Sequence, residues 1–308
     1  MALTGVRQLI RGPARQQALH GHLAMLAFSA LVAGSFSLGG LVANEIAPAA
    51  LNAVRFLIAS ALIGGLAAAT GKLNARAARA PWRYLLLGGL FAVYFVLMFE
   101  GLKTAPPVSS AAVFTLPPMI SALVGWLLLR QVMTARMTLA LLIGGLGAIW
   151  VIFRADLGAL LSFRIGTGEM IFFWGVVAHA VYTPLSRRLN RGESPVAFTF
   201  GMLLAGFAVL VTYGWRDILA TDWTSLRPLV WVTIGYTSVF AGSTTFVLLQ
   251  YAVLRLPASK VMAYTYLTPS WVILWEIALG NGAPRAAVLA GVGLTVVALW
   301  MLLKDEAA

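Results

Sequence analysis

Between residues 168 and 189 an imidazole, a phenol and a hydroxyl recur at helical spacing: Gly175, His179, Tyr182 and Ser186 fall at i, i+4, i+7 and i+11, one stripe on a helix. His179 is the one histidine deep inside an apolar run. A titratable ring there is costly unless it faces a cavity or a partner, so it reads either as a neutral imidazole bonded to a neighbouring helix or as lining of a solute path. Leu90, Tyr94, Met98 and Gly101 make a comparable stripe, and Lys260, Tyr264, Leu267 and Trp271 a third. Rings and thioethers adapt to varied apolar shapes, which suits aromatic or large hydrophobic amino acids and many drugs equally. The same tyrosines and tryptophans also serve as packing residues, and Trp82 and Tyr84 read as members of an interfacial belt.

Four further side chains carry charge in or near apolar runs. Arg55 lies about 7 residues into its run, roughly 10 Å deep at helical rise, where a long side chain reaches the surface. Its expected role is structural. Glu100 and Glu276 stand near run ends and are expected to pair with Arg55 or a nearby basic residue, or to meet water; a buried carboxylate there could instead couple transport to protons. Lys260 stands at the opposite end of the run that holds Glu276. No H-E-x-x-H pair, no serine with an adjacent base and no Walker glycine loop is present, and cysteine is absent. These gaps argue against an enzyme, a metal site, a cofactor and a nucleotide-driven pump. A ring-built channel filter is not expected from one asymmetric chain.

The elements that must position these residues follow from composition. Sixty per cent of the 308 residues are hydrophobic and 10% charged, too little polar surface to coat a body in water. An all-α membrane protein results, since a β-barrel would alternate polar and apolar residues. Ten spans are expected at about 21–43, 48–70, 82–103, 106–129, 136–154, 168–189, 195–214, 228–252, 257–280 and 285–303. The net charge of +12 sits in short loops, a sign of topology and not of nucleic-acid binding. With the N-terminus inside, Arg7, Arg11, Arg15, Lys72, Arg76, Arg79, Arg83, Arg130, Arg136, Arg187, Arg188, Arg191, Arg255 and Lys304 are cytoplasmic. Lys103, Arg154, Arg164, Arg216, Arg227 and Arg285 are external. The excess places both termini in the cytoplasm.

The chain also repeats itself. Pro106 and Pro118 stand 12 residues apart, as do Pro257 and Pro269, and an offset of 151 residues relates the two pairs and aligns Leu116 with Leu267. Five spans per half is odd, so the second half enters the bilayer from the opposite face: two inverted five-helix repeats around a central cavity, the layout of an alternating-access carrier. The divisions are 1–20, a basic cytoplasmic tail, then 21–160 and 161–304, the two repeats. Within helices, Pro117, Pro118 and Pro269 would free the carbonyls of Val113, Phe114 and Thr265, giving either hinges beside the site or fixed kinks. Gly144, Gly145, Gly147, Gly291 and Gly293 supply close packing for spans five and ten, which could also form a weak dimer; a monomer fits equally.

The pattern ALNAVRFLIA in span two, the proline-marked spans four and nine, and the two five-helix halves resemble the EamA-type ten-helix exporters of the drug/metabolite transporter superfamily, over about residues 21–303. Overall the chain is most similar to their YddG-type aromatic amino-acid exporters. The resemblance implies a cavity lined by spans one, three, four, six, eight and nine, residence in a bacterial inner membrane, and export of small organic solutes, either amino acids or a wider set of drugs and metabolites. These halves often end their fourth span with a glutamate; here the ends read LLLRQ, with Arg130 and Gln131, and ALGNG, with Asn281.

Overall fold

The computed structural model describes residues 2–73, 80–130, 134–161 and 165–304, with side chains described from residue 16 onward. Arg76, Arg79, Gln131, Arg164 and the side chains of Arg7, Arg11 and Arg15 lie outside that set. The described chain is helical throughout, without strands. The elements are α1 (Ala2–Val42), α2 (Pro48–Ala69), α3 (Trp82–Leu102), α4 (Pro107–Val113), α5 (Pro117–Leu129), α6 (Ala135–Ile152), α7 (Leu157–Leu161), α8 (Thr167–Leu189), α9 (Pro195–Ala220), α10 (Pro228–Ser238), α11 (Thr245–Val253), α12 (Ala258–Ala263), α13 (Thr268–Ala278) and α14 (Ala286–Leu303). Among the described residues eight helical stretches are long and apolar enough to cross a bilayer, so the protein is a multi-pass membrane protein. Two of these stretches are composite, Pro107–Leu129 and Pro228–Val253. The helix α8 has the length, at 23 residues, but is more polar, with Glu169, His179, Arg187 and Arg188 on it.

Proline and capping side chains set where helices begin. Proline occupies the first turn of α2, α4, α5, α9, α10 and α13, where its missing N–H leaves no bond unmade. Thr134 and Ser194 accept hydrogen bonds from the N–H groups of Met137 and Ala197 at the starts of α6 and α9. The prolines expected inside spans four and nine therefore stand at helix starts. Span four is α4 and α5 joined by a turn, and the Val113 carbonyl accepts from the Leu116 N–H at 3.1 Å. Span nine is α12 and α13 joined by a 3-10 turn over Tyr264–Leu267, whose Thr265 carbonyl accepts from the Thr268 N–H. Two of the three carbonyls expected to be free are thus satisfied by tight turns. Pro106 and Pro257 precede the first rod of each pair, and Leu116 and Leu267 precede the second.

Among the residues whose side chains are described, one proline does interrupt a helix. Pro184 in α8 cannot donate to the Ala180 carbonyl, and the Ser121 hydroxyl of α5 donates to it instead at 2.8 Å. Along α10 and α11 the ladder widens into a π turn over Val239–Thr244, where the Ser243 hydroxyl donates to the Ser238 carbonyl at 2.8 Å and Thr244 to Val239 at 2.9 Å.

Neighbouring helices pair in a regular way: α2 with α9, α3 with α8, α1 with α11, α6 with α14, α4 with α13 and α5 with α12. Glycines set the closest approaches. A Cβ on Gly88 of α3 would strike the backbone of Met202 and Gly206 on α9, and Gly147 of α6 and Gly291 of α14 press against each other's carbonyls. The helices α6 and α14 turn Leu139, Leu142, Leu146, Leu289, Leu294 and Trp300 outward, an apolar flank suited to lipid.

Candidate functional site

The three sequence stripes converge only in part. Two of them meet at the centre: His179 and Tyr182 of α8 and Tyr94 of α3 are each 1% exposed and join one aromatic layer. The His179 ring lies 4.7 Å from Tyr94, 5.2 Å from Phe114 and 5.3 Å from Phe91, and Phe91 lies 4.1 Å from Tyr182. Phe36, Phe95, Phe172 and Phe246 extend the layer across α1, α3, α8 and α11. Met98 is fully buried one turn beyond Tyr94, and Ser186 is fully buried one turn beyond Tyr182, its hydroxyl donating to the Thr183 carbonyl at 3.0 Å. Neither Nδ1 of His179 nor Oη of Tyr94 has a hydrogen-bond partner among the described residues. The layer is closed: rings fill the space where a hollow was expected.

The third stripe lies toward α1. Tyr264 shares a hydrogen bond of 3.1 Å with Nδ1 of His22, Trp271 donates to Ser29 at 3.2 Å, and Lys260 is buried within electrostatic reach of His22. His22 was missed because it stands at the margin of its apolar run. Glu100 pairs with Lys103 at 2.7 Å, and Glu276 is buried and accepts from Asn281 at 2.9 Å. No ion pair joins either carboxylate to Arg55. Arg55 itself departs furthest from expectation, since it is fully buried and does not reach the surface. Its face of α2 is turned inward, so depth along the helix axis did not decide its exposure. Tyr84 is also buried, against Phe198 and Glu193, and is not a belt residue; Trp82 is 52% exposed and fits that role.

A cavity of about 690 Å³ opens where the α3–α4, α6–α8 and α13–α14 connections meet, its polar lining being Ser109, Arg154, Asp156, Glu169 and Arg285. Glu169 is 2% exposed, accepts from Ser109 at 2.7 Å and lies 3.7 Å from Arg154. The acidic first turn in GTGEM was the available signal, since a carboxylate is favoured at a helix N-terminus.

Ion pairs tie the two ends of the bundle. At one end Glu45, between α1 and α2, pairs with Arg227 at the start of α10. At the other, Arg83 at the start of α3 pairs with Glu193, between α8 and α9, at 2.7 Å; Arg83 also donates to the Leu189 carbonyl at 2.6 Å. Burial alone would raise the Glu193 carboxyl, but hydrogen bonds from Arg83 and the Arg191 N–H hold it below the ordinary carboxylate range. The Arg83 and Glu193 side chains are 1% and 9% exposed, against 61% and 26% for Arg227 and Glu45.

Residues 19–153 and 166–304 each match the model of the EamA-like transporter family. The chain is 24% identical over 266 residues to the uncharacterized transporter YyaM of Bacillus subtilis (strain 168), covering 85% of this chain and 87% of that protein. It is 22% identical over 291 residues to the uncharacterized transporter YetK of the same organism, covering 90% and 86%. A solved crystal structure shares the fold, with a TM-score of 0.71 at 22% identity over 95% of this chain and 98% of the other.

Proposed function

The chain belongs to the EamA-like transporter family, and from that premise we propose that it is a secondary carrier exporting amino acids with apolar or aromatic side chains, in the manner of the YddG-type exporters. In this reading ten spans form two inverted five-helix repeats, α8 and the α12–α13 pair being the two spans that composition alone leaves out. Both termini are cytoplasmic and the membrane is a bacterial inner membrane.

The observation that carries the proposal is the aromatic layer, because both family-matched segments build it: Phe36, Phe91, Tyr94, Phe95 and Phe114 come from the first, Phe172, His179, Tyr182 and Phe246 from the second. A septum made jointly by two halves parts when the halves rock, and a flat apolar side chain can take the place of a ring. Inverted duplication is supported by the helix neighbours, which exchange in order: α2 meets its counterpart α9, α6 meets α14, and the contact of α3 with α8 matches that of α11 with α1. The cavity at Glu169 serves as the outer vestibule. The turns before Pro117, Pro118 and Pro269 serve as hinges beside the layer.

Reconstituted liposomes loaded with labelled aromatic, aliphatic or charged amino acids, and in parallel with cationic dyes, test the substrate class. Saturable efflux led by the aromatic and aliphatic members is expected. Flux of dyes alone would replace this reading with a multidrug exporter, and absence of all flux would remove the carrier.

A further inference from the structure

Arg55 is a buried cation with no counter-charge among the described residues. The side chain is 0% exposed, and no Asp or Glu among the described residues pairs with it. Its Nη2 donates to the Ala241 carbonyl at 2.6 Å, inside the π turn that separates α10 from α11, while Nε and Nη1 have no partner among the described residues. The guanidinium lies over the Phe95 ring, 3.7 Å from its centroid. Tyr94, whose Oη is also unpartnered, lies within electrostatic reach. One turn earlier on α2, Asn52 Oδ1 is also without a partner among the described residues.

A buried charge lacking its full set of hydrogen bonds is among the costliest groups a fold can hold. One carbonyl and one ring face offset part of that cost. What remains on offer is a single positive charge, two unused donor nitrogens and a phenol, all edged by Phe91, Phe95 and Phe246. A phosphate would bring nearly two negative charges to one guanidinium. A carboxylate on an apolar body brings one, with planar oxygens that suit the guanidinium.

We propose that Arg55 is the anchor for the carboxylate of the transported solute, with Tyr94 as a second donor and the Phe95 side of the aromatic layer receiving the solute's apolar part. The proposal rests on the carrier reading above and names the feature that its substrates share.

Phenylalanine, phenylacetate and phenylethylamine separate the carboxylate from the ring and the amine. Thermal unfolding of the detergent-purified full chain with each compound is the first readout, and vesicle flux the second. The wild type is expected to be stabilised by phenylalanine and phenylacetate and not by phenylethylamine. Arg55→Gln should lose that gain. Tyr94→Phe should weaken apparent carboxylate affinity about tenfold, the loss for one hydrogen bond to a charged group. Should Arg55→Gln not fold, Arg55→Lys, which keeps the charge but loses the planar fork, together with Tyr94→Phe must each reduce the gain. Equal stabilisation by the amine, or an undiminished gain in the variants that fold, would overturn the anchor. Carboxylate binding without flux supports the anchor and removes the carrier reading; flux without preference for the acid does the reverse.

Discussion

The residues at the centre do different work from those at the rim, and substitutions should separate them. His179→Ala and Tyr182→Ala remove ring surface from the closed aromatic layer, and each is expected to cut flux several-fold more than Trp82→Ala, which loses a ring already half open to the surroundings. Equal losses in all three, at equal expression, would detach the layer from transport. At Glu193 the sign of the pH effect is fixed by the direction of its shift. The folded carboxyl titrates below its ordinary value of 4.5, so its bridge to Arg83 stabilises above that value and is lost as pH falls through the lower folded one. Glu193→Gln should cost about 3 kcal/mol at pH 7, because Arg83 stays buried without its partner. It should also flatten the acid limb of a thermal-unfolding series; an unchanged acid limb would show that other groups set it.

At the scale of elements, Pro184 and Ser121 form a testable unit. Ser121→Ala leaves the Ala180 carbonyl without its donor and is expected to destabilise by about 1 kcal/mol, within the range of single hydrogen bonds between membrane helices. In the Pro184→Ala background that cost should shrink, since the restored N–H serves the same carbonyl, and a thermal-unfolding double-mutant cycle measures the coupling. Additive losses would mean that the carbonyl never needed Ser121. The helices themselves were largely legible in the sequence: apolar runs gave rough bounds for the eight long apolar stretches among the described residues, and the proline offset of 151 residues fell on both broken spans. Whether each proline kinked a helix or began one was not legible, because that depends on the turn before it. Arg55 was misjudged for a related reason. Rise per residue gives depth along an axis, while the inward face of α2 is chosen by its packing on α9 and by the π turn. Tyr84 followed the same pattern, its burial being set by Phe198 and Glu193 across more than 100 residues of chain.

For the whole molecule, the ties at its two ends occupy matching places: each joins the connection before α2 or α9 to the start of a helix in the other matched segment. They differ in wetness. Salt shortens the screening length from about 30 Å at 0.01 M to about 3 Å at 1 M and weakens exposed pairs far more than buried ones. The chain contains no cysteine, so single introduced thiols report without background. Maleimide labelling of Ser37→Cys, a buried position near the Glu45 end, should therefore rise with salt, while that of Ser186→Cys, buried toward the Glu193 end, should not. Glu45→Gln should reproduce the rise at low salt, and equal responses at both positions would sink the idea. Electrolyte strength would then act as a thumb on one pan of the balance: brine loosens the clasp it can wet, while the dry clasp at the opposite end holds its setting.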